Sequence, residues 1–156
     1  MQHKVVVFTT GGTIAMRHDP ALGGAVPAVN GAELIEAVPP LCEVCAVEVR
    51  EFSNIPSPHM TPQIMHALAL QIEEALAEPD VLGAVITHGT DTFEETAFFL
   101  DLFIASEKPV CVTAAMRSAA EISPDGPANI LASVRCAAAP QARGKGVLAV
   151  MNEEVH

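Results

Sequence analysis

Short, unbroken apolar runs alternate with longer segments of helical period along this chain. KVVVFT (4–9), LGAVIT (82–87) and PVCVTA (109–114) carry aliphatic and β-branched side chains with little polar interruption, the pattern of strands covered on both faces. CAVEVREF (45–52) alternates and predicts a further strand, and GKGVLAVM (144–151) predicts the last one. The clearest helix is TPQIMHALALQIEEALAEP (61–79). There Thr61 stands as N-cap, Pro62 takes the first helical position, and Ile64, Leu68, Ile72 and Leu76 share one stripe. A short helix follows Asn30, with Glu33 three residues on. TFEETAFFLDLFIA (92–105) predicts a helix opened by a capping box of Thr92 and Glu95. An Ala-rich helix is expected over 125–139, with Gly126 and Pro127 in its first turn. Strand–helix alternation of this kind implies an α/β domain with a doubly wound, mostly parallel sheet and helices on both faces. MRHDPALGGAVPAVNG (16–31) is the one long polar, Gly/Pro-rich stretch and is expected to be a mobile loop lidding a site.

Composition narrows the possible chemistry. The 156 residues are 50% hydrophobic and 17% charged, enough to bury the core of one domain. With six Phe and no Trp or Tyr, that core must be filled by Val, Ile, Leu and Ala. Net charge is −11, and Lys4, Lys108 and Lys145 with a handful of Arg form no basic stripe, which argues against nucleic acid as a partner. The N-terminus MQHKVVVFTTGG enters a strand with no secretory pattern, and no apolar run approaches membrane-spanning length. A cytoplasmic protein with no membrane partner is therefore expected, its four Cys kept as reduced thiols. Cys42 and Cys45 in LCEVC have Cys-x-x-Cys spacing, but no second pair completes a zinc site. They are expected to be small apolar residues beside a strand, with no metal. His66, a lone imidazole in a helix, is expected at the surface.

VVVFTTGGTIA (5–15) places two glycines and flanking threonines where a strand ends, and three readings compete for it. A phosphate loop would need G-x-G-x-x-G or a Walker lysine, and neither is present. An ordinary turn would need nothing further. A hydroxyl-based site would use the glycines for close backbone approach and exposed N–H groups, with Thr13 poised beside Gly12. VITHGTDTFEET (85–96) also leaves a strand, turns at Gly89 and presents Thr90 and Asp91 before a helix. A parallel sheet brings such exits to one edge. Two hydroxyls and a carboxylate are thus brought together, as a hydroxyl nucleophile needs a proton acceptor and donors for an oxyanion. A helix-capping turn remains the plain reading of HGTDT alone.

TTGGTIA, NIPSPHMTP, ITHGTDTFEETAFFLD, KPVCVTAAMRSAAEISPDGPANI and GVLAVMNEE, in this order, resemble the L-asparaginase family of amidohydrolases, which includes asparaginase/glutaminases and a related tRNA-amidotransferase subunit. The likeness covers essentially the whole chain and corresponds to the family's N-terminal domain, of flavodoxin/Rossmann-like fold. It implies hydrolysis of L-asparagine, and of L-glutamine in some members, without cofactor or metal, in a homo-oligomer. By that resemblance Thr13 is the nucleophile, Thr90 the second catalytic threonine, and Asp91 the carboxylate holding the substrate's α-amino group. Ser57 would bind the α-carboxylate, and Gly12 and Gly89 would lend backbone N–H groups. His88 is expected to be buried, hydrogen-bonded and supportive. Pro58 stands where many members carry a glutamine that contacts substrate, and no tyrosine is available to the lid. The family's active-site lysine lies beyond the strand ending VLAVMNEEVH, past His156, as does its smaller C-terminal domain. The expectation is the N-terminal domain of a longer enzyme or a truncated product, with negligible turnover alone. Two further classes compete: an amino-acid-binding module without turnover, and a nucleotide-binding domain. Titration with aspartate and with a dinucleotide separates them.

Overall fold

Strands with no polar face need cover on both sides, and the chain supplies it. The computed structural model describes residues 2–12, 16–19, 24–27, 31–119 and 121–156. Along the chain come β1 (Lys4–Thr9), β2 (Met16–Asp19), β3 (Gly24–Pro27), α1 (Gly31–Glu36), β4 (Ala46–Glu51), α2 (Pro62–Ala77) and β5 (Val81–Thr87). They are followed by α3 (Phe93–Phe103), β6 (Val110–Thr113), α4 (Gly126–Ala138), β7 (Val147–Met151) and β8 (Glu154–Val155). The main sheet has the order β4-β1-β5-β6-β7-β8, parallel throughout except for β8, which runs antiparallel to β7.

Alternate side chains of the same strands feed two separate cores. Val5, Val7, Val85, Cys111 and Leu148 point to one face, where Ile130, Val134 and Ala137 of α4 cover them. Val6, Phe8, Ala84, Ile86 and Val112 point to the other, against Leu68, Ile72 and Leu76 of α2 and Leu100 of α3. Each such large aliphatic side chain stabilises the fold by about 1.5–3 kcal/mol on burial. This two-sided burial explains the unbroken apolar runs, and the doubly wound sheet expected from them is what forms.

Helix α2 begins as its sequence implies: Thr61 accepts a bond from Ile64 N at 3.4 Å, and Pro62 opens the first turn. Its stripe is wider than expected, since Met65 and Ala69 are buried while Ile64 is only half-buried. The far end is closed from another element. The Lys108 ammonium donates to Leu76 O and Glu78 O, both at 2.7 Å, meeting carbonyls that the helix leaves unpaired.

Three local expectations are corrected. The stretch 16–31 is not all loop, because Met16 pairs with Pro27 and Asp19 with Gly24 in an antiparallel ladder. Its two strands are too short to show a period of their own, so only backbone pairing reveals them. GKGVLAVM is not the last strand: β8 turns back on β7 through Asn152 (φ 53°) and Glu153 (φ 63°), a two-residue connection with both centres left-handed. Glu153 in that conformation is uncommon, which is why the turn was invisible to residue preference. Finally, Thr92 precedes α3 but its side chain makes no cap. Its hydroxyl is used elsewhere. Asn30, the expected cap of α1, lies outside the described residues. No helix among the described residues is long and apolar enough to cross a membrane.

Candidate active site

Strand order reverses between β1 and β5: the chain leaves β1 for β4 on one side, then continues from β5 to β7 on the other. At such a switch point the loops diverge and leave a crevice outside the carboxyl ends. Residues 10–12 and 88–92 exit there side by side, because Thr9 and Thr87 are register partners.

Backbone contact holds these exits together. Thr10 N and Thr10 Oγ1 both donate to Thr87 O, at 3.2 and 2.9 Å. Thr10 O in turn accepts from Ile55 N and Ser53 Oγ, each at 3.0 Å, which adds the loop after β4. The glycines make this approach possible. A Cβ on Gly11 (φ 110°) would fall 2.6 Å from Ile55 O. A Cβ on Gly12 (φ 84°) would fall 2.5 Å from both Cα and N of Gly89. Both positions combine a left-handed backbone with no room for a side chain. Close backbone approach, one of the readings of GG in the sequence, is therefore realised, but against protein backbone.

Ser57 is the second junction. It is buried in a short 3-10 turn, Ser57–His59, and its hydroxyl donates to Asp91 Oδ2 at 2.8 Å. Asp91 N donates back to Ser57 Oγ at 3.2 Å, and Thr92 Oγ1 donates to Ser57 O at 2.8 Å. The hydroxyl that should have capped α3 thus clamps the β4–α2 loop onto the β5–α3 turn. Asp91 is exposed beyond this clamp, Thr90 is half-buried in the turn, and Pro58 is exposed next to Ser57.

His88 is wholly buried behind the turn. Its Nδ1 lies 2.7 Å from Gly89 O, so Nδ1 carries the proton and donates. Nε2 is left as the acceptor for the Thr96 hydroxyl at 3.0 Å. Burial holds His88 below its ordinary pKa, against the opposing pull of the Gly89 carbonyl and Glu95. The burial and hydrogen bonding expected of His88 are what the structure shows.

The structure therefore brings Gly12, Ser57, Gly89 and Asp91 to one crevice, with Thr90 in the same turn and Pro58 at its rim. Thr13 lies outside the described residues. Sequence reasoning missed Thr10, Thr92 and Thr96, whose partners are 77, 35 and 8 residues away. Only their threonine-rich surroundings hinted at them. Cys42 is more exposed than expected and donates to Pro39 O, and among the described residues no group of His, Cys, Asp and Glu could hold a metal. His66 is exposed and packs edge-on against Phe103.

The family model described as asparaginase, N-terminal, matches residues 4–156. L-asparaginase 2-3 of Saccharomyces cerevisiae is 43% identical over 154 residues, covering 97% of this chain and 42% of that protein. L-asparaginase 2 of Bacillus subtilis is 42% identical over 155 residues, 97% of this chain and 41% of its own length. A crystal structure of a probable cytoplasmic L-asparaginase from Campylobacter jejuni superposes with a TM-score of 0.91 at 38% identity, over 98% of this chain and 47% of that one. The chain thus spans less than half the length of these relatives.

Proposed function

The chain belongs to the asparaginase family, and from that premise we propose that it carries the nucleophile-bearing part of an L-asparaginase site. The observation that supports this best is the Ser57–Asp91 pair, held beside the contact of Gly12 with Gly89. In this reading the substrate is L-asparagine. Asp91 receives the α-ammonium and the Ser57 hydroxyl meets the α-carboxylate. A hydroxyl has one proton to give, and here it goes to Asp91. Substrate arrival resolves this simply: the ammonium takes over Asp91, which frees the Ser57 hydroxyl to turn to the carboxylate. The two ends of the amino acid are then bound by one exchange of partners.

With the backbone so anchored, the side-chain amide extends toward Thr13, assigned as nucleophile by the resemblance of TTGGTIA to the asparaginase family. Attack of its hydroxyl on the amide carbon forms a tetrahedral oxyanion, stabilised by backbone N–H groups of the glycine turns. Collapse expels ammonia and leaves an acyl-threonine, which water hydrolyses to L-aspartate. Thr90 is the second hydroxyl, relaying the proton between nucleophile and leaving group. The enzyme works as a homo-oligomer, and glutamine is the competing substrate.

The test is asparagine-dependent ammonia release. In the complete enzyme, with the family's C-terminal domain present, Thr13→Ala and Thr90→Val should each lose several orders of magnitude in kcat with the urea midpoint unchanged. Near-normal turnover by Thr13→Ala would remove the nucleophile assignment.

A further inference from the structure

The crevice lies at the carboxyl ends of the strands, and a second cleft opens at their amino ends. It is open to solvent, with a volume of about 360 Å³, and Cys42 and Cys45 both line it beside Gln2, Glu36 and Ala46. Pro39 and Pro40 begin the 3-10 turn Pro39–Glu43 that leads to it, and the buried Leu41 anchors this turn in the core. The Cys-x-x-Cys pair follows that anchor directly. Cys42 is exposed, Cys45 is half-buried, and both are free thiols.

Backbone geometry puts these two thiols within reach of each other. The separation of Cα atoms three positions apart is set by the two residues between them. Here those are Glu43, in the 3-10 turn, and Val44, helical at φ −88° and ψ −61°. Val44 N and Cys45 N both donate to Leu41 O, at 3.0 and 3.3 Å, which closes the turn. Helical backbone holds such Cα atoms about 5–6 Å apart, inside the span of about 4.4–6.8 Å that a disulfide needs. The Cys42 thiol donates to Pro39 O at 3.1 Å, so reaching Cys45 takes a rotation about one χ1. We propose that Cys42 and Cys45 form a reversible dithiol–disulfide site, oxidised by exchange with a small-molecule disulfide that enters this cleft.

Access sets the order of events. Cys42, the exposed thiol, loses its proton and attacks one sulfur of the incoming disulfide. That S–S bond breaks, one thiolate leaves, and a mixed disulfide stands on Cys42. Cys45 then gives up its proton and attacks the Cys42 sulfur, expelling the second thiolate as the Cys42–Cys45 bond forms. The two leaving thiolates take up the two protons. In total a dithiol and a small disulfide become a protein disulfide and two small thiols, with two electrons passing to the small disulfide. Burial holds the Cys45 thiol above its ordinary range, which fits it to the second step and not the first.

Glu36 lines the cleft and Glu43 stands between the two cysteines, so the probe is the cationic disulfide cystamine. The intact folded protein is treated with cystamine near the ordinary thiol pKa of about 8.5, then unfolded in an alkylating agent and digested with trypsin. Peptide 18–50 carries both cysteines and no internal Lys or Arg, so its mass reads the pair directly. The expected product is this peptide two hydrogens lighter and without alkyl groups, and reduction before alkylation restores two. Cys45→Ser should stop at a single cysteamine adduct on Cys42, and Cys42→Ser should leave Cys45 free to alkylate. The inference is overturned if the wild-type peptide takes two alkyl groups after cystamine treatment. It is overturned equally if the wild-type peptide retains cysteamine adducts in place of the internal bond.

Discussion

Replacing Gly89 by Ala tests how closely the two loops of the crevice are fitted. Gly89 is not among the glycines with positive φ, so its backbone accepts an L side chain and any cost is one of space. The new Cβ would lie 2.5 Å from Ser57 Oγ and 2.7 Å from Ser57 Cβ. Ordinary contact needs roughly 1 Å more, and Ser57 cannot easily give it. Its hydroxyl is bonded to Asp91 and its carbonyl to Thr92. Overpacking of this kind destabilises by about 1–3 kcal/mol. Ser57→Gly alone loses two hydrogen bonds, one donated to Asp91 Oδ2 and one accepted from Asp91 N, each worth about 0.5–1.5 kcal/mol and at the lower end because Asp91 is exposed and rehydrates. It also adds about 0.5–1 kcal/mol of backbone entropy. In the double variant both clashing atoms are gone, and the nearest remaining one is Gly12 Cα at 3.3 Å. Gly89→Ala should then add little to Ser57→Gly, giving a coupling of about 1–3 kcal/mol in favour of the double variant. Urea unfolding of the four proteins at a common m-value measures it. Additivity within about 0.5 kcal/mol would refute the steric argument.

Lys108→Met should destabilise by about 1–2 kcal/mol, because the ammonium is bonded to two carbonyls at the end of α2; a urea midpoint like wild type counts against that role. The depressed pKa of His88 has a definite sign. The unfolded imidazole takes up a proton at about pH 6.5 before the folded one does, so the contribution is present above that value and is lost as pH falls through the folded pKa. His88→Gln should flatten that part of the stability–pH profile, and an unchanged slope would contradict the assignment. Pro58→Gln restores a polar side chain at the rim and should raise the asparagine-to-glutamine ratio of kcat/KM, because the added group is left unpaired by a mispositioned ligand. No change in that ratio would reject Pro58 as a specificity position.

What the sequence determined by itself was everything carried by local period or by side chains adjacent in the chain. Val5–Val7 and Val85–Ile86 had to be strands, because so apolar a run has no solvent face. Thr61–Pro62 had to open α2, because cap and first turn are chain neighbours. The order of motifs also located the crevice, since parallel strands share a carboxyl edge whatever their sequence. What the tertiary structure decided was which groups spend their hydrogen bonds on one another. Thr92 had the spacing of a capping box, and capping is a local bond with a short reach. Thr92 makes no such cap, and its hydroxyl instead donates to Ser57 O, 35 residues away, at 2.8 Å. Gly12 and Gly89 likewise had no sequence relation until β1 and β5 paired in register. Asn152 suits a left-handed turn, but Glu153 took one that its side chain disfavours, within the two-residue connection that pairs β8 with β7. Local preference is worth about a kilocalorie per mole at such positions, and packing of the surrounding elements outweighs it.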